Sequence, residues 1–252
     1  SLDTAQGASP LHMVTAFAAD ARLVLGQLAV DAKSNEITAL PKLLDLLSLQ
    51  GTTVTADAMH CQRATAKKIC AHGADYVLAL KGNQGTLADD VVRFFETPET
   101  SVTTHTTTDA DHGRIEVHEA SVSTDIAWLQ AHHNWPGLQA IGRIVATREV
   151  AGKTMTSTRY YVMSAPLAPE RLGEIVRSHW AIENALHWVL DVVMNEDQMR
   201  NRRDHGPENL AMLRHLALNL ARLELSKGSM RGKLKRAGWD DNYLIKLVTG
   251  FR

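Results

Sequence analysis

Apolar and β-branched positions fill His12-Met13-Val14-Thr15-Ala16-Phe17 and then Leu23 to Val30, on either side of the turn-like Ala19-Asp20-Ala21-Arg22, which predicts a β-hairpin. Lys33-Ser34-Asn35-Glu36 next offers capping side chains to a helix that carries Ile37, Leu40, Leu44 and Leu47 on one side, with Pro41 blurring its start. After Gly51 the run Thr52 to Asp57 sets Val54 and Ala56 against Thr53, Thr55 and Asp57, the period-two pattern of a strand that ends in a carboxylate. A helix from about Gln62 to His72 stops at Gly73, and a strand follows over Tyr76 to Leu80. Gly82-Asn83 then turns the chain into a helix ending near Phe95. Strand, helix, strand, helix implies an α/β layer.

The pattern changes over Thr97 to Ser164. Thr/Val-rich runs at Ser101 to Thr108, Ile115 to Ser123, Ile141 to Glu149 and Thr154 to Met163, broken by Gly113, Gly137 and Gly152, predict a β-rich insertion. Pro166 and Pro169 introduce a long helix over about Glu170 to Met194, and a second amphipathic helix starts at Pro207 with Leu210, Leu213, Leu216 or Ala217, and Leu220 as its apolar face. Met230 to Arg252 is basic and helical in parts. The resulting division is 1–96 for the first part of an α/β core, 97–165 for the insertion, 166–199 for the helix that completes the core, and 200–252 for a basic helical segment. No internal repeat or low-complexity tract is present.

Composition narrows the class. With 252 residues, 44% hydrophobic and 22% charged, the chain can bury a sizeable core, which excludes disorder along its whole length. No apolar run is long enough to cross a bilayer, and Ser1-Leu2-Asp3 has neither the basic start nor the apolar stretch of a secretory signal, so a soluble cytoplasmic protein is expected. Cys61 and Cys70 stand nine apart with no Cys-x-x-Cys pairing, signal neither zinc nor a disulfide framework, and read as packing residues. The net charge of -1 hides an asymmetry: from Arg200 onward there are 12 Lys+Arg against 5 Asp+Glu, and before it 15 against 23. A basic surface for phosphates beside an acidic region suited to metal ions fits that split, and so does a solvated helical tail.

Candidate chemistry begins with Asp57, because ligands of open α/β sheets gather beyond the carboxyl ends of strands. The competing reading is an N-cap or turn residue. His179, Glu183 and His187 recur every four residues along one helical face, and Val176, Trp180, Ile182, Leu186, Val189, Leu190 and Val193 around them predict a largely buried helix. A glutamate there needs a partner or a metal. All three side chains on one transition metal is a poor fit, since i and i+8 lie about 12 Å apart along the axis. Glu183 paired with Asp57 as hard oxygen ligands for Mg²⁺ is the preferred reading, with the histidines as hydrogen-bonding or packing neighbours. Two such ions can activate a water or a DNA 3′-hydroxyl and stabilise the leaving oxygen, which requires at least three carboxylates. Asp191, Glu196 and Asp197 lie beyond Glu183 and read as turn and salt-bridge residues near Arg200 and Arg202.

These residues carry a resemblance. His179-Trp180-Ala181-Ile182-Glu183-Asn184, continuing through Leu186-His187-Trp188, Leu190-Asp191-Val192 and Glu196-Asp197, resembles the signature of the H-repeat-associated group of bacterial insertion-sequence DDE transposases. So do Lys33-Ser34-Asn35-Glu36-Ile37-Thr38, Thr55-Ala56-Asp57-Ala58-Met59 with Cys61-Gln62, Asp75-Tyr76 with Lys81-Gly82-Asn83-Gln84, and His112-Gly113-Arg114-Ile115-Glu116, in the family's order along the whole chain. The resemblance implies a ribonuclease H-like mixed sheet with flanking helices and a β-rich insertion before the glutamate helix. It makes Asp57 the second catalytic Asp and Glu183 the third acidic residue, binding Mg²⁺ or Mn²⁺. The family's first Asp sits in an Asp-Gly-Lys-Thr motif that this sequence does not contain; Asp3 belongs to the loop after it, so the first strand is expected to be missing as well. Related transposases also place a Tyr, an Arg and a Lys on the glutamate helix, but here the position four before Glu183 is His179 and the position seven after it is Leu190, so that DNA-contact set does not carry over.

With two of three carboxylates, this chain is expected to be inactive alone in the family's Mg-dependent DNA cleavage and strand transfer. The alternative is a non-catalytic remnant that binds DNA or its full-length relative. The implied partners are the element ends and target DNA, with a homodimer on DNA, no membrane and no small-molecule substrate. The implied location is the bacterial cytoplasm, on the nucleoid when DNA-bound. Candidate DNA contacts are Lys81, Asn83 and Gln84 after a strand, His112 and Arg114 in the insertion, His179 and His187 on the helix, and Arg200, Arg202, Arg203, Arg231, Lys233, Lys235 and Arg236 in the basic segment. A capping turn for Asn83 and a salt bridge of Arg114 with Glu116 or Asp111 explain those positions about as well.

Overall fold

The computed structural model describes residues 12–30, 35–111, 114–150, 152–201 and 203–250. Its elements begin with β1 (Met13–Ala18), β2 (Leu23–Ala29), α1 (Glu36–Leu44), β3 (Thr53–Ala56), α2 (Arg63–Ala71), β4 (Asp75–Leu80) and α3 (Gly85–Glu96). They continue with β5 (Thr103–Asp111), β6 (Arg114–Ser123), α4 (Ala127–His133), β7 (Ala140–Val150), β8 (Lys153–Met163) and α5 (Pro169–Ile182), and end with α6 (Gly206–Leu223), α7 (Met230–Ala237) and α8 (Asp241–Thr249). The chain divides into two units, Ser48–His179 and a second made of Ser1–Leu47 with Trp180–Arg252. No helix among the described residues is long and apolar enough to cross a membrane.

The unit Ser48–His179 is built on a six-stranded sheet in the order β3-β4-β8-β7-β6-β5. β3 and β4 are parallel, with Thr55 opposite Val77, and every other neighbouring pair is antiparallel. Alternation places Ala120, Val122, Ala140, Ile144, Tyr161 and Met163 in one core with Leu172, Ile175 and Val176 of α5. The close approach of that helix requires Gly142: a Cβ there would lie 2.5 Å from Leu172 Cδ2 and 3.3 Å from Met163 Cε. α2 contributes Thr65, Ala66 and Ile69 to the interior, and α3 contributes Leu87, Ala88, Val91 and Phe95. The strands expected in the insertion are present as β5 to β8, and α4 stands among them where the sequence pattern gives no helix. Cys61 and Cys70 are both free; Cys61 is buried, and desolvation pushes its thiol up to about 12.

In the other unit β1 and β2 form the expected hairpin, with a register irregularity between Ala16 and Phe17 and Arg22 in the left-handed region at φ 56°. Asn35 caps α1 by accepting from the Thr38 N–H at 3.1 Å. α6 lies against β2, where the Asn219 amide accepts from the Val24 N–H at 2.9 Å and donates to the Val24 carbonyl at 2.8 Å. Val24, Leu186, Val189, Leu190 and Leu218 form the core. Near the C-terminus the buried Glu224 carboxylate takes Lys246 at 2.8 Å, Tyr243 Oη at 3.0 Å, Lys233 at 3.4 Å and the Ser226 hydroxyl; the bonds from Lys246, Ser226 and Tyr243 hold it well below the usual carboxylate range.

Two expectations about the helices are corrected. The stretch read as one α-helix to Met194 is α-helical only to Ile182; from there it runs through π-helical segments at Glu183–His187 and Val189–Val193, with the Trp188 N–H bonded to the Glu183 carbonyl and the Met194 N–H to that of Val189. It is also far from buried all round: Trp180, Trp188 and Val192 are exposed, and so is Glu183. On α6 the buried row is Ala211, His215, Leu218 and Ala221, while Leu213 and Leu216 of the expected face are exposed.

Candidate active site

β3 delivers Asp57 at its carboxyl end. The residue precedes a 3-10 turn over Ala58–His60, but its side chain makes no capping bond there, so the turn is closed by backbone alone, from the His60 N–H to the Asp57 carbonyl at 2.8 Å. The carboxylate instead faces His179 of α5, with Nε2 to Oδ1 at 3.4 Å, a long hydrogen bond with ion-pair character. On the other side of the ring, His179 Nδ1 meets Thr55 Oγ1 at 3.0 Å. Thr55 and Asp57 stand two residues apart, so the strand presents them on one face and the imidazole bridges them. With Nε2 carrying the proton toward Asp57, Nδ1 accepts from the Thr55 hydroxyl and the ring is fixed at both ends.

Asp57 is 70% exposed at its side chain, yet its pKa is lowered. The hydrogen bond from His179 is the largest cause; Lys81 and the imidazoles of His179 and His60 add to it electrostatically, and partial burial opposes it. The result is an ionised oxygen donor open to solvent. The loop that carries it is stapled from the next strand's end. Asn83 Nδ2 donates to the Ala58 carbonyl at 2.7 Å, and Gln84 Nε2 donates to the Cys61 carbonyl at 2.8 Å and to Gln62 Oε1 at 3.2 Å. Their amides thus support the Asp57 loop, whereas Lys81 is exposed.

Glu183 belongs to the other unit, at the first position of the π-helical stretch. Because π-helical bonding runs from i to i+5, the four-residue recurrence of His179, Glu183 and His187 does not persist through it. Being exposed, Glu183 is under no desolvation pressure to find a partner, which removes the burial argument for a metal there. His187 is exposed as well. Asp191 has its pKa raised by desolvation first and by the charge of Asp197 next, and Glu196 is raised by desolvation although Arg214 pairs with it at 3.5 Å. Among the described residues Arg214, rather than Arg200, is thus the basic partner of Glu196.

Of the basic candidates, Arg200, Arg231 and Lys235 are exposed, and Arg203 is exposed beside Asp204 at 3.9 Å. Arg236 pairs with Asp240 at 3.2 Å and lies over the Tyr243 ring at 4.3 Å. Lys233, only 11% exposed at its side chain, is taken up by Glu224 and the Ala221 carbonyl. His112 and Arg202 lie outside the described residues, as does Asp3; Arg114 has a described backbone at the start of β6 only, and Glu116 is paired with Arg148 at 3.3 Å. Thr55 was not singled out from sequence, although the alternation that put it on the same face as Asp57 was legible there.

A mixed sheet flanked by helices, with a carboxylate at the end of a parallel strand, has the architecture of the ribonuclease H-like α/β class. The family pattern described as Transposase DDE domain matches residues 3–220. H repeat-associated putative transposase YhhI of Escherichia coli (strain K12) is 36% identical over 260 residues, covering 99% of this chain and 68% of that protein. Putative transposase YncI of Escherichia coli O157:H7 is 37% identical over 265 residues, covering 100% and 68%. Putative protein YbfL of Escherichia coli (strain K12) is 36% identical over 260 residues, covering 99% and 68%. The chain belongs to the DDE transposase family, whose members process DNA.

Proposed function

We propose that Asp57 and Glu183 are two of the carboxylates of a DDE transposase that carries out Mg-dependent DNA cleavage and strand transfer, and that this chain alone is inactive. The observation that carries the reading is Asp57: a carboxylate at a strand's carboxyl end, its pKa lowered by His179, unused as a helix cap and open to solvent. As a hard anionic oxygen it suits Mg²⁺ or Mn²⁺. When bound, such ions supply activation of the attacking oxygen and stabilisation of the leaving one.

The chain's own residues do the positioning. Thr55 orients the His179 ring, His179 hydrogen-bonds Asp57 and lowers its pKa, and Asn83 and Gln84 hold the loop beneath it. Glu183 follows His179 by four positions in the sequence. The inactivity proposed for the chain alone follows from its sequence, which holds two of the family's three carboxylates and no Asp-Gly-Lys-Thr motif. The DNA element ends and target are the proposed substrates, bound by a homodimer.

The test is an assay of the purified chain on duplex DNA bearing the element's ends, with Mg²⁺ and with Mn²⁺. No cleavage and no strand transfer are expected. Robust turnover abolished by Asp57→Ala would overturn the proposed inactivity while supporting the assignment of Asp57; robust turnover unaffected by Asp57→Ala or Glu183→Ala would overturn the site itself.

A further inference from the structure

A cleft of about 380 Å³ opens beside the β1–β2 turn, lined by Ala21, Arg22, Asn184, Ala185, Val189, Arg222 and Met230, all from one unit. Its size lies within the roughly 300–1,000 Å³ of small-ligand sites. Two of its lining residues are arginines and none is acidic.

Arg222 is held in place: its guanidinium donates to the carbonyls of Arg22 and Ala185 and lies over the Phe17 ring at 5.5 Å. Those two bonds use two of the five N–H donors of a guanidinium. Its pKa is lowered, by desolvation first and by the charge of Arg22 second, so positive charge is concentrated here without a carboxylate in the lining to offset it. Arg22 and Asn184 are exposed, and their side chains have no hydrogen-bond or ion-pair partner among the described residues. Arg22 occupies a left-handed turn position, so its Cα is fixed by the hairpin and not by anything its guanidinium touches. Two residues with unengaged donor side chains thus line the same cleft as an anchored cation.

We infer that this cleft is a phosphate site, in which Arg22 and Asn184 grip one backbone phosphate of DNA and the anchored Arg222 supplies charge behind them. A planar guanidinium fork matches phosphate oxygens, and a side-chain amide adds a neutral donor. The choice of DNA as the source of the phosphate rests on the DNA-processing reading above; the cleft's affinity for phosphate does not.

The experiment uses the full chain, its Arg22→Gly variant and an Asn184→Ala variant. Glycine accepts the left-handed turn and keeps the backbone carbonyl that Arg222 uses, so the fold is retained. Inorganic phosphate is titrated against the Asn184 side-chain amide signal and the backbone signal of residue 22, and duplex DNA binding is measured across a salt series. Saturable phosphate shifts in the parent that Arg22→Gly abolishes, with a log–log salt slope shallower by about one in that variant, are expected. A parent that binds duplex DNA with a steep slope unchanged in both variants, and shows no phosphate response, overturns the proposal. Phosphate shifts with an unchanged DNA slope overturn the DNA source and leave a free-phosphate site. Failure of the parent to bind duplex DNA counts against the DNA-processing reading, and the phosphate titration then decides the cleft: no saturable shift overturns it.

Discussion

His179 ties the strand that ends in Asp57 to α5, and removing it has a defined electrostatic result. In His179→Ala the Asp57 pKa is expected to rise toward the ordinary Asp value of about 4, as followed by carboxyl-carbon NMR titration. An unchanged titration would mean that the imidazole is not what lowers the Asp57 pKa. The sign for stability follows from linkage. Because the folded pKa is lowered, the contribution is present above the unfolded value and is lost as pH falls through the folded one. The carboxylate is well exposed, so solvent screening keeps that contribution small. At this scale the sequence placed Asp57 at a strand end with the helix histidines as hydrogen-bonding neighbours, but not Thr55 on the far side of the His179 ring, 124 residues away. Lys233 illustrates the same limit: a lysine in a basic run reads as solvent-facing until the fold brings Glu224 to it.

Elements were more legible than their faces. Hairpin, strands and most helices followed from period-two and period-3.6 patterns, because each pattern has one way to bury its apolar row. α4 leaves little trace in the pattern: its seven residues make only about two turns, too short a row to stand out amid Thr/Val-rich strands. α6 misled because it has apolar residues on several sides, and the choice of Ala211, His215, Leu218 and Ala221 is made by β2, where Gln27 meets His215. The change to i to i+5 bonding at Glu183 involves backbone register, which side-chain hydropathy does not encode. A prediction belongs to the contact of α5 with the sheet. Gly142→Ala forces Leu172 and Met163 to move within a packed core and should cost about 1–3 kcal/mol in urea unfolding. No loss of stability would mean that α5 can lift from β7 freely.

Across the whole molecule, the acidic and basic halves of the sequence do not translate into a uniformly basic surface. Within α7, Arg231 and Lys235 stand one helical turn apart and exposed, whereas Lys233 and Arg236 are engaged with Glu224 and with Asp240 and Tyr243. If the exposed pair contacts DNA phosphates, Arg231→Ala and Lys235→Ala should each flatten the salt dependence of duplex binding by about 0.9 in log–log slope. Lys233→Ala should leave that slope alone and lower the melting temperature, since Glu224 then loses one of its cations. Equal slopes for all three variants would argue against α7 as a phosphate-facing surface.

The amide of Asn219 has a topological effect as well as a bonding one. By occupying both outward polar groups of Val24, it acts as a stopper on that rim of the hairpin, where an incoming chain would otherwise find a donor and an acceptor waiting. At Val24 that margin of the two-stranded ribbon is therefore closed to a further strand, and α6 is the element that closes it.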